Sequence, residues 1–159
     1  MSYNGSMSQD TAGVKVPPPF IFLISILIGL GLNRARPMSV APENLAMPLG
    51  VAFIMASITL AFLGFRELGR HKTTIRPDEP SSAIVKTGPY RFTRNPLYVS
   101  LSALLLGIGL WTNNLWVVLM LVPVGIIMTT QVIAREEAYL ERAFGEDYLR
   151  YKASVRRWI

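Results

Sequence analysis

Two short polar segments concentrate the side chains able to bind a ligand. The first, residues 82–98, contains a Gly-Pro turn, three aromatic side chains, three cations and an Asn-Pro pair. The second begins with Glu136 and Glu137, directly after a long apolar run. A carboxylate at the edge of a membrane usually has a partner or a ligand. Because adjacent helical residues point about 100° apart, we expect only one of the two to face a given ligand atom.

The first segment also has a simpler structural interpretation. Asn95 is expected to cap a helix that begins at Pro96, while Arg94 and Tyr98 would anchor it at the membrane interface. Those roles do not account for the density of turn, aromatic and cationic residues around them. A helix N-terminus is also a natural binding site for anions.

Other classes of site are excluded or disfavoured by composition. The chain has no cysteine, which excludes disulfides, thiolate metal sites and a cysteine nucleophile. Its single histidine, His71, lies in a basic loop, where we expect it to be solvated or to face lipid, and no metal-binding constellation is visible. The net charge of +6 comes from residues that flank apolar runs. This pattern favours contact with anionic lipid over nucleic acid.

Four apolar runs must position the two segments. Their lengths are close to the roughly 20 residues that a membrane-spanning helix requires, and they cover residues 17–32, 48–65, 96–111 and 115–134. Only three residues separate the last two runs, so they are expected to form a helical hairpin. Ala52 and Ala56 are predicted to form a close-packing face, as are the glycine pairs Gly29/Gly31 and Gly107/Gly109. Pro123 and Gly125 are expected to bend the fourth run.

Basic residues predict the orientation. The segment 66–94 carries seven Lys and Arg residues and the tail from Arg135 carries six, whereas the loop after the first run carries two. An even number of spans places the two basic segments on one face, and the positive-inside rule assigns that face to the cytoplasm. We therefore expect a multi-pass protein whose site faces the cytoplasm.

The tail has the pattern of an amphipathic helix that lies in the interface or covers the bundle. Its apolar residues recur every three or four positions, and Gly145 is expected to kink or interrupt it; the stripe consists of Leu140, Phe144, Tyr148, Tyr151, Val155 and Trp158.

Taken in order, these motifs resemble the isoprenylcysteine carboxyl methyltransferase and phospholipid methyltransferase superfamily. That pattern is an aliphatic pair, T/S-G-x-Y, R-H/N-P-x-Y, an apolar hairpin, E-E-x-x-L and F-G-x-x-Y-x-x-Y. The matching residues are Ile84-Val85, Thr87-Gly88-Pro89-Tyr90, Arg94-Asn95-Pro96-Leu97-Tyr98, Glu136-Glu137-Ala138-Tyr139-Leu140, and Phe144-Gly145 with Tyr148 and Tyr151. The resemblance covers about residues 73–158.

The resemblance implies a membrane methyltransferase that uses S-adenosylmethionine and acts on a lipophilic or lipidated acceptor. It implies that the cofactor is bound by Ser82, Ala83, Ile84, Val85, Tyr90, Asn95, Pro96, Leu97, Tyr98 and Glu136. Methyl transfer to a carboxylate needs no general base, so alignment and exclusion of water would do most of the catalysis.

The chain departs from the superfamily pattern at two positions. Asn95 stands where many members have His. Val132 stands where the prenylcysteine enzymes have a substrate-binding Arg, which leaves Arg135 as the candidate partner of a substrate carboxylate. No catalytic residue is assigned. Thr129, Thr130 and Gln131 either line the pocket or form hydrogen bonds between helices.

The sequence therefore predicts an all-α polytopic membrane helical bundle with about four transmembrane helices and a C-terminal amphipathic helix. Residues 1–16 are expected to be a flexible tail and residues 17–159 a single domain. The acceptor is predicted to be a lipid carboxylate, isoprenylcysteine-like or other. A phospholipid or other lipid amine is the alternative acceptor, and a non-catalytic membrane scaffold is an alternative of another class. The pattern does not indicate an oligomeric state.

Overall fold

The computed structural model describes residues 16–73 and 83–159, and these residues form an all-α structure. The predicted tail, residues 1–16, lies almost entirely outside this part, as does Ser82. The helices are α1 Pro18–Ala35, α2 Glu43–Arg70, α3 Pro96–Trp111, α4 Leu115–Leu119, α5 Leu121–Ile127, α6 Ala134–Phe144 and α7 Glu146–Ser154. A 3₁₀ turn, Gly88–Arg91, precedes α3, and a π-helical turn, Met128–Ile133, joins α5 to α6.

Three helical stretches are long and apolar enough to cross a membrane: α1, α2 and the continuous run Leu115–Phe144. The shorter apolar helix α3 completes the bundle. The prediction of an all-α membrane helical bundle is therefore confirmed. Many large apolar side chains of α1 and α2, such as Leu27 and Phe62, remain exposed because they face lipid rather than the protein interior.

Helices α2 and α3 approach each other closely along a face of small residues. A side chain at Gly50 would lie 2.3 Å from the Trp111 backbone nitrogen, and one at Gly107 would lie 3.0 Å from the Gly50 carbonyl oxygen. About two turns further along α2, Ser57 Oγ donates to the Ser100 carbonyl oxygen at 2.8 Å. The contact face of α2 is thus built on Gly50, Ser57 and Gly64, which recur every seven residues.

The predicted Ala52/Ala56 packing face is wrong, because both side chains are exposed on the opposite side of α2. Small residues allow close approach but do not by themselves indicate which face of a helix is used. Of the predicted glycine pairs, Gly29, Gly107 and Gly109 do make close helix contacts. Gly31 does not, since nothing lies within 4 Å of a side chain built there.

The hairpin between α3 and α4 turns at Asn113 and Asn114, as predicted. Asn113 adopts a φ of 46°, and its side chain bonds the backbone of Val40 and Ala41 in the loop before α2. Asn114 caps α4 by accepting from the Val117 backbone N–H at 3.2 Å. These bonds hold together the end of the bundle opposite the polar segments.

The fourth apolar run is irregular near the expected proline. The helix breaks at Met120, three residues before Pro123, because proline has no N–H to donate to the Leu119 carbonyl. The π-helical turn contains Thr129, Thr130 and Gln131. Thr130 Oγ1 donates to the Ile126 carbonyl of its own helix, and Trp158 Nε1 donates to Thr129 Oγ1 at 3.2 Å. None of the three lines the pocket described below.

Gly145 interrupts the C-terminal helix, as expected. It adopts a φ of +53°, which separates α6 from α7. The amphipathic stripe is confirmed for Tyr148 and Tyr151, both buried. The prediction that the helix continues to Trp158 is wrong, because α7 ends at Ser154. The residues after it run alongside the segment before α3.

Candidate functional site

A pocket opens where the two polar segments meet beside the ends of α2 and α6. Its cavity volume is about 130 Å³, and the cavity is partly open to solvent. Its lining residues are Leu68, Thr73, Ala83, Ile84, Val85, Tyr90, Arg94, Asn95, Glu136, Glu137, Leu140, Tyr148 and Tyr151. The predicted meeting of segments 66–94 and 135–158 is therefore found in the fold.

Glu136 lies at the start of α6, where the long apolar run becomes polar. The Tyr98 hydroxyl on α3 donates to Glu136 Oε1 at 2.5 Å. This bond orients the carboxylate and leaves its second oxygen for a ligand donor. Tyr98 itself does not line the pocket, so it acts there through Glu136.

Residues 83–85, which belong to no helix or strand, line one wall of the pocket. Val85 is buried and packs with Leu68 and Tyr90. The backbone N–H and C=O groups of these three residues take part in no hydrogen bond within the described part of the chain. Partly buried backbone groups without partners are suited to bind a heteroaromatic ring edge.

The turn that follows residues 83–85 is hydrogen-bonded to α2. Thr87 Oγ1 donates to Glu67 Oε2 at 2.7 Å, and Glu67 also pairs with Arg70 at 3.2 Å. Gly88 adopts a φ of +57°, and a side chain there would lie 2.6 Å from Glu67 Cγ. The Gly-Pro turn therefore has to be close to Glu67, a contact that sequence reasoning did not identify. His71 bonds the Glu67 carbonyl through Nδ1 at 2.9 Å and does not line the pocket.

Three tyrosines form the aromatic part of the site. Tyr151 donates to the Tyr90 carbonyl at 2.7 Å, which fastens α7 to the turn. Burial raises the pKa of Tyr148 to about 12, and it raises the pKa values of Tyr90 and Tyr151 still further. All three hydroxyls therefore stay protonated near neutral pH and can donate hydrogen bonds.

Glu137 points away from Glu136 into a cluster of cations, as expected for adjacent helical residues. Arg157 bonds it with Nε at 2.9 Å and Nη2 at 2.6 Å, and Arg94 Nη2 lies 3.1 Å from Oε1. Lys152 lies 3.8 Å away and also pairs with Glu141. The Glu137 bond raises the pKa of Arg157. The cluster was not predicted, because its members are far apart in sequence.

The tail closes this side of the site. The backbone N–H of Arg94 donates to the Arg156 carbonyl oxygen at 2.9 Å. The side-chain Nδ2 of Asn95 donates to the Arg157 carbonyl oxygen at 2.8 Å. The Asn95 side chain makes no capping bond to α3, so the predicted cap is wrong; Pro96 is nevertheless the first helical residue. The amide fastens the tail instead.

Apart from Ser82, which lies outside the described residues, the predicted site residues fall into three groups. Six line the pocket: Ala83, Ile84, Val85, Tyr90, Asn95 and Glu136. Pro96, Leu97 and Tyr98 lie behind it. Arg135 is exposed and does not line it. Among residues 16–73 and 83–159, no group of three acidic, histidine or cysteine side chains is arranged to hold a metal ion.

The comparisons agree with the motif order. The family model described as phospholipid methyltransferase matches residues 45–147, well over half of the chain. An uncharacterized protein of Haemophilus influenzae is 43% identical over 63 residues, which cover 40% of this chain and all of that protein. No solved structure matches the chain. With the match spanning α2 through α6 and both halves of the pocket, the chain belongs to the phospholipid methyltransferase family of membrane methyltransferases.

Proposed function

We propose that this protein transfers a methyl group from S-adenosylmethionine to a lipophilic acceptor that reaches the pocket from the bilayer. The observation that carries the proposal is the position of Glu136. It lines a pocket of mixed polar and apolar side chains near the start of α6, within a helical run that is apolar enough to cross a membrane. Such a site is accessible to a water-soluble cofactor from one side and to a lipid from the other.

The pocket residues fit the chemistry of this cofactor. The unpaired backbone groups of residues 83–85 suit the edge of an adenine ring, and Tyr90 provides an apolar aromatic wall beside them. The free oxygen of Glu136 suits ribose hydroxyls or an ammonium group. A sulfonium cation is attracted to aromatic faces such as those of the pocket tyrosines.

When bound, S-adenosylmethionine supplies an electrophilic methyl group attached to a positively charged sulfur. The residues of the chain then have to orient the acceptor in line with that methyl group and keep water away. Tyr98 holds Glu136 in position, and the Tyr151–Tyr90 bond keeps α7 over the pocket. These contacts favour catalysis by alignment.

We infer that the acceptor is a lipid carboxylate, isoprenylcysteine-like or other, which attacks through an oxygen lone pair and has no proton to lose. Arg135 would have to turn towards the pocket to pair with it. A lipid amine is the second candidate, and the description of the matching family favours it. An ammonium group would have to lose a proton before its nitrogen could attack.

Calorimetric titration of the detergent-purified protein with S-adenosylhomocysteine tests the cofactor assignment. We expect saturable binding at a single site. Absence of binding by a folded sample would overturn the enzyme proposal and favour a membrane scaffold. A screen with methyl-labelled cofactor over lipid extracts, followed by mild alkaline hydrolysis, then distinguishes base-labile methyl esters from stable methylamines.

A further inference from the structure

Arg94 lines the pocket with a side chain that is only 8% exposed. Its Nη2 atom pairs with Glu137 at 3.1 Å. Its Nε and Nη1 atoms are buried and have no hydrogen-bond partner among residues 16–73 and 83–159. Leaving buried polar groups unpaired costs free energy, and the cost is larger when the group is charged. Such a group inside a pocket indicates a ligand acceptor.

The charges around Arg94 support the same conclusion. Glu137 is already bonded by two nitrogens of Arg157, and Lys152 lies within 3.8 Å. Three cations therefore surround the single negative charge of Glu137, and this carboxylate alone does not neutralise the charge of Arg94. The other pocket carboxylate, Glu136, is hydrogen-bonded to Tyr98 on α3. A bound anion would remove the excess.

We propose that Arg94 donates a hydrogen bond to an oxyanion of the pocket ligand from one of its unpartnered nitrogens, Nε or Nη1, and that this oxyanion is the carboxylate of the cofactor's methionine group. A hydrogen bond between a charged donor and a carboxylate is roughly twice as strong as one between neutral groups. The proposal rests on the proposed function, and it adds a residue that the motif comparison did not assign to the cofactor.

The position of Arg94 favours the cofactor over a lipid as the source of the oxyanion. The pocket wall beside Arg94 includes Tyr148 and Tyr151 of α7, a helix that carries four charged side chains in nine residues. Because charged side chains are costly in the hydrocarbon region, we expect α7 to lie on the aqueous side of the pocket. Glu137 is a positioning residue, because its bond to Nη2 directs the other two nitrogens.

The test compares S-adenosylmethionine with its decarboxylated form, which lacks only the carboxylate. Binding of both to the full-length protein is measured by calorimetry. We expect wild type to prefer the carboxylate-bearing compound by about tenfold to a hundredfold, the range for charge-assisted hydrogen bonds. In Arg94→Met that preference should vanish, with the affinity for the decarboxylated compound unchanged. Arg91→Met, an exposed arginine of the same segment, should behave as wild type.

Arg94→Met is expected to fold, since Glu137 keeps Arg157 and Lys152; the melting temperature checks this. If it does not fold, Arg94→Lys retains a charge beside Glu137 but loses the planar guanidinium with its fixed N–H directions, and should reduce the preference severalfold. A wild-type preference that persists in the folded variants would overturn the assignment to the cofactor. If those variants instead lose affinity for short-chain phosphatidic acid, the oxyanion belongs to the lipid. No binding of either adenosyl compound by wild type would refute the proposed function itself.

Discussion

Glu136 and Glu137 are adjacent in sequence and have different environments. Glu136 receives the Tyr98 hydroxyl and keeps one oxygen available, while Glu137 is enclosed by Arg94, Arg157 and Lys152. The first is suited to bind a ligand because its bonding capacity is incomplete. The second is suited to hold the tail and the Arg94 side chain. The roughly 100° between adjacent helical residues produces this division.

Replacing Glu136 with Gln tests the ligand role. The substitution keeps the size and an acceptor for Tyr98 but removes the charge, so charge-assisted bonds to the ligand become weaker. We expect the affinity for S-adenosylhomocysteine to fall about tenfold or more. Titration calorimetry measures it. Glu146→Gln, at a carboxylate that is 90% exposed, should leave the affinity unchanged; equal affinities in both variants would contradict the assignment.

At the scale of elements, the site depends on how closely α2 and α3 pack. The glycines and serines of this interface bring Glu67 under the Gly88 turn and Pro96 beside the pocket. The packing leaves no room for an added methyl group at Gly50. Lipid-facing positions of the same helices have no such restriction.

Gly50→Ala should therefore destabilise the bundle, since its new Cβ would lie 2.3 Å from a backbone nitrogen that cannot move alone. Overpacking of this kind costs about 1–3 kcal/mol. Gly31→Ala is the matched control, because nothing lies within 4 Å of its Cβ position. Thermal unfolding in detergent should show a lower midpoint for Gly50→Ala only. A similar midpoint for both variants would indicate that α2 and α3 pack differently.

The tail is the second element on which the site depends. Deleting residues 156–159 removes the bonds from Arg94 and Asn95 and the Arg157–Glu137 pair, together with the Trp158 contact to Thr129. The truncated protein should insert into membranes but bind S-adenosylhomocysteine at least about tenfold more weakly. Each lost hydrogen bond contributes about 1 kcal/mol to the free energy that holds this side of the pocket in place. Affinity equal to that of the full chain would show that the tail is dispensable.

At the scale of the whole molecule, the bundle has a polar end and a short-loop end. The polar end carries the pocket, the turn, α7 and the tail. The other end consists of the loop between α1 and α2 and the Asn113-Asn114 turn, which are hydrogen-bonded to each other. The distribution of Lys and Arg predicts that the polar end faces the cytoplasm.

The absence of cysteine in the sequence allows a direct test of this orientation. Single cysteines are introduced as Arg91→Cys at the polar end and Thr112→Cys at the other, both at exposed positions. In intact cells a membrane-impermeant maleimide should label Thr112→Cys, and it should label Arg91→Cys only after permeabilisation. The reverse pattern would place the site on the outer side.

The sequence by itself determined the number and order of the apolar runs, the interruption at Gly145 and the set of motifs that meet at the pocket. These features depend on local composition and backbone preference, and they are encoded over a few residues. Only the tertiary structure decided that Asn95 binds the tail rather than capping α3, that α2 packs through Gly50 instead of Ala52, and that two nitrogens of Arg94 have no hydrogen-bond partner among the described residues. Each of these depends on which distant groups are brought within hydrogen-bonding or van der Waals distance, and spacing along the chain does not contain that information.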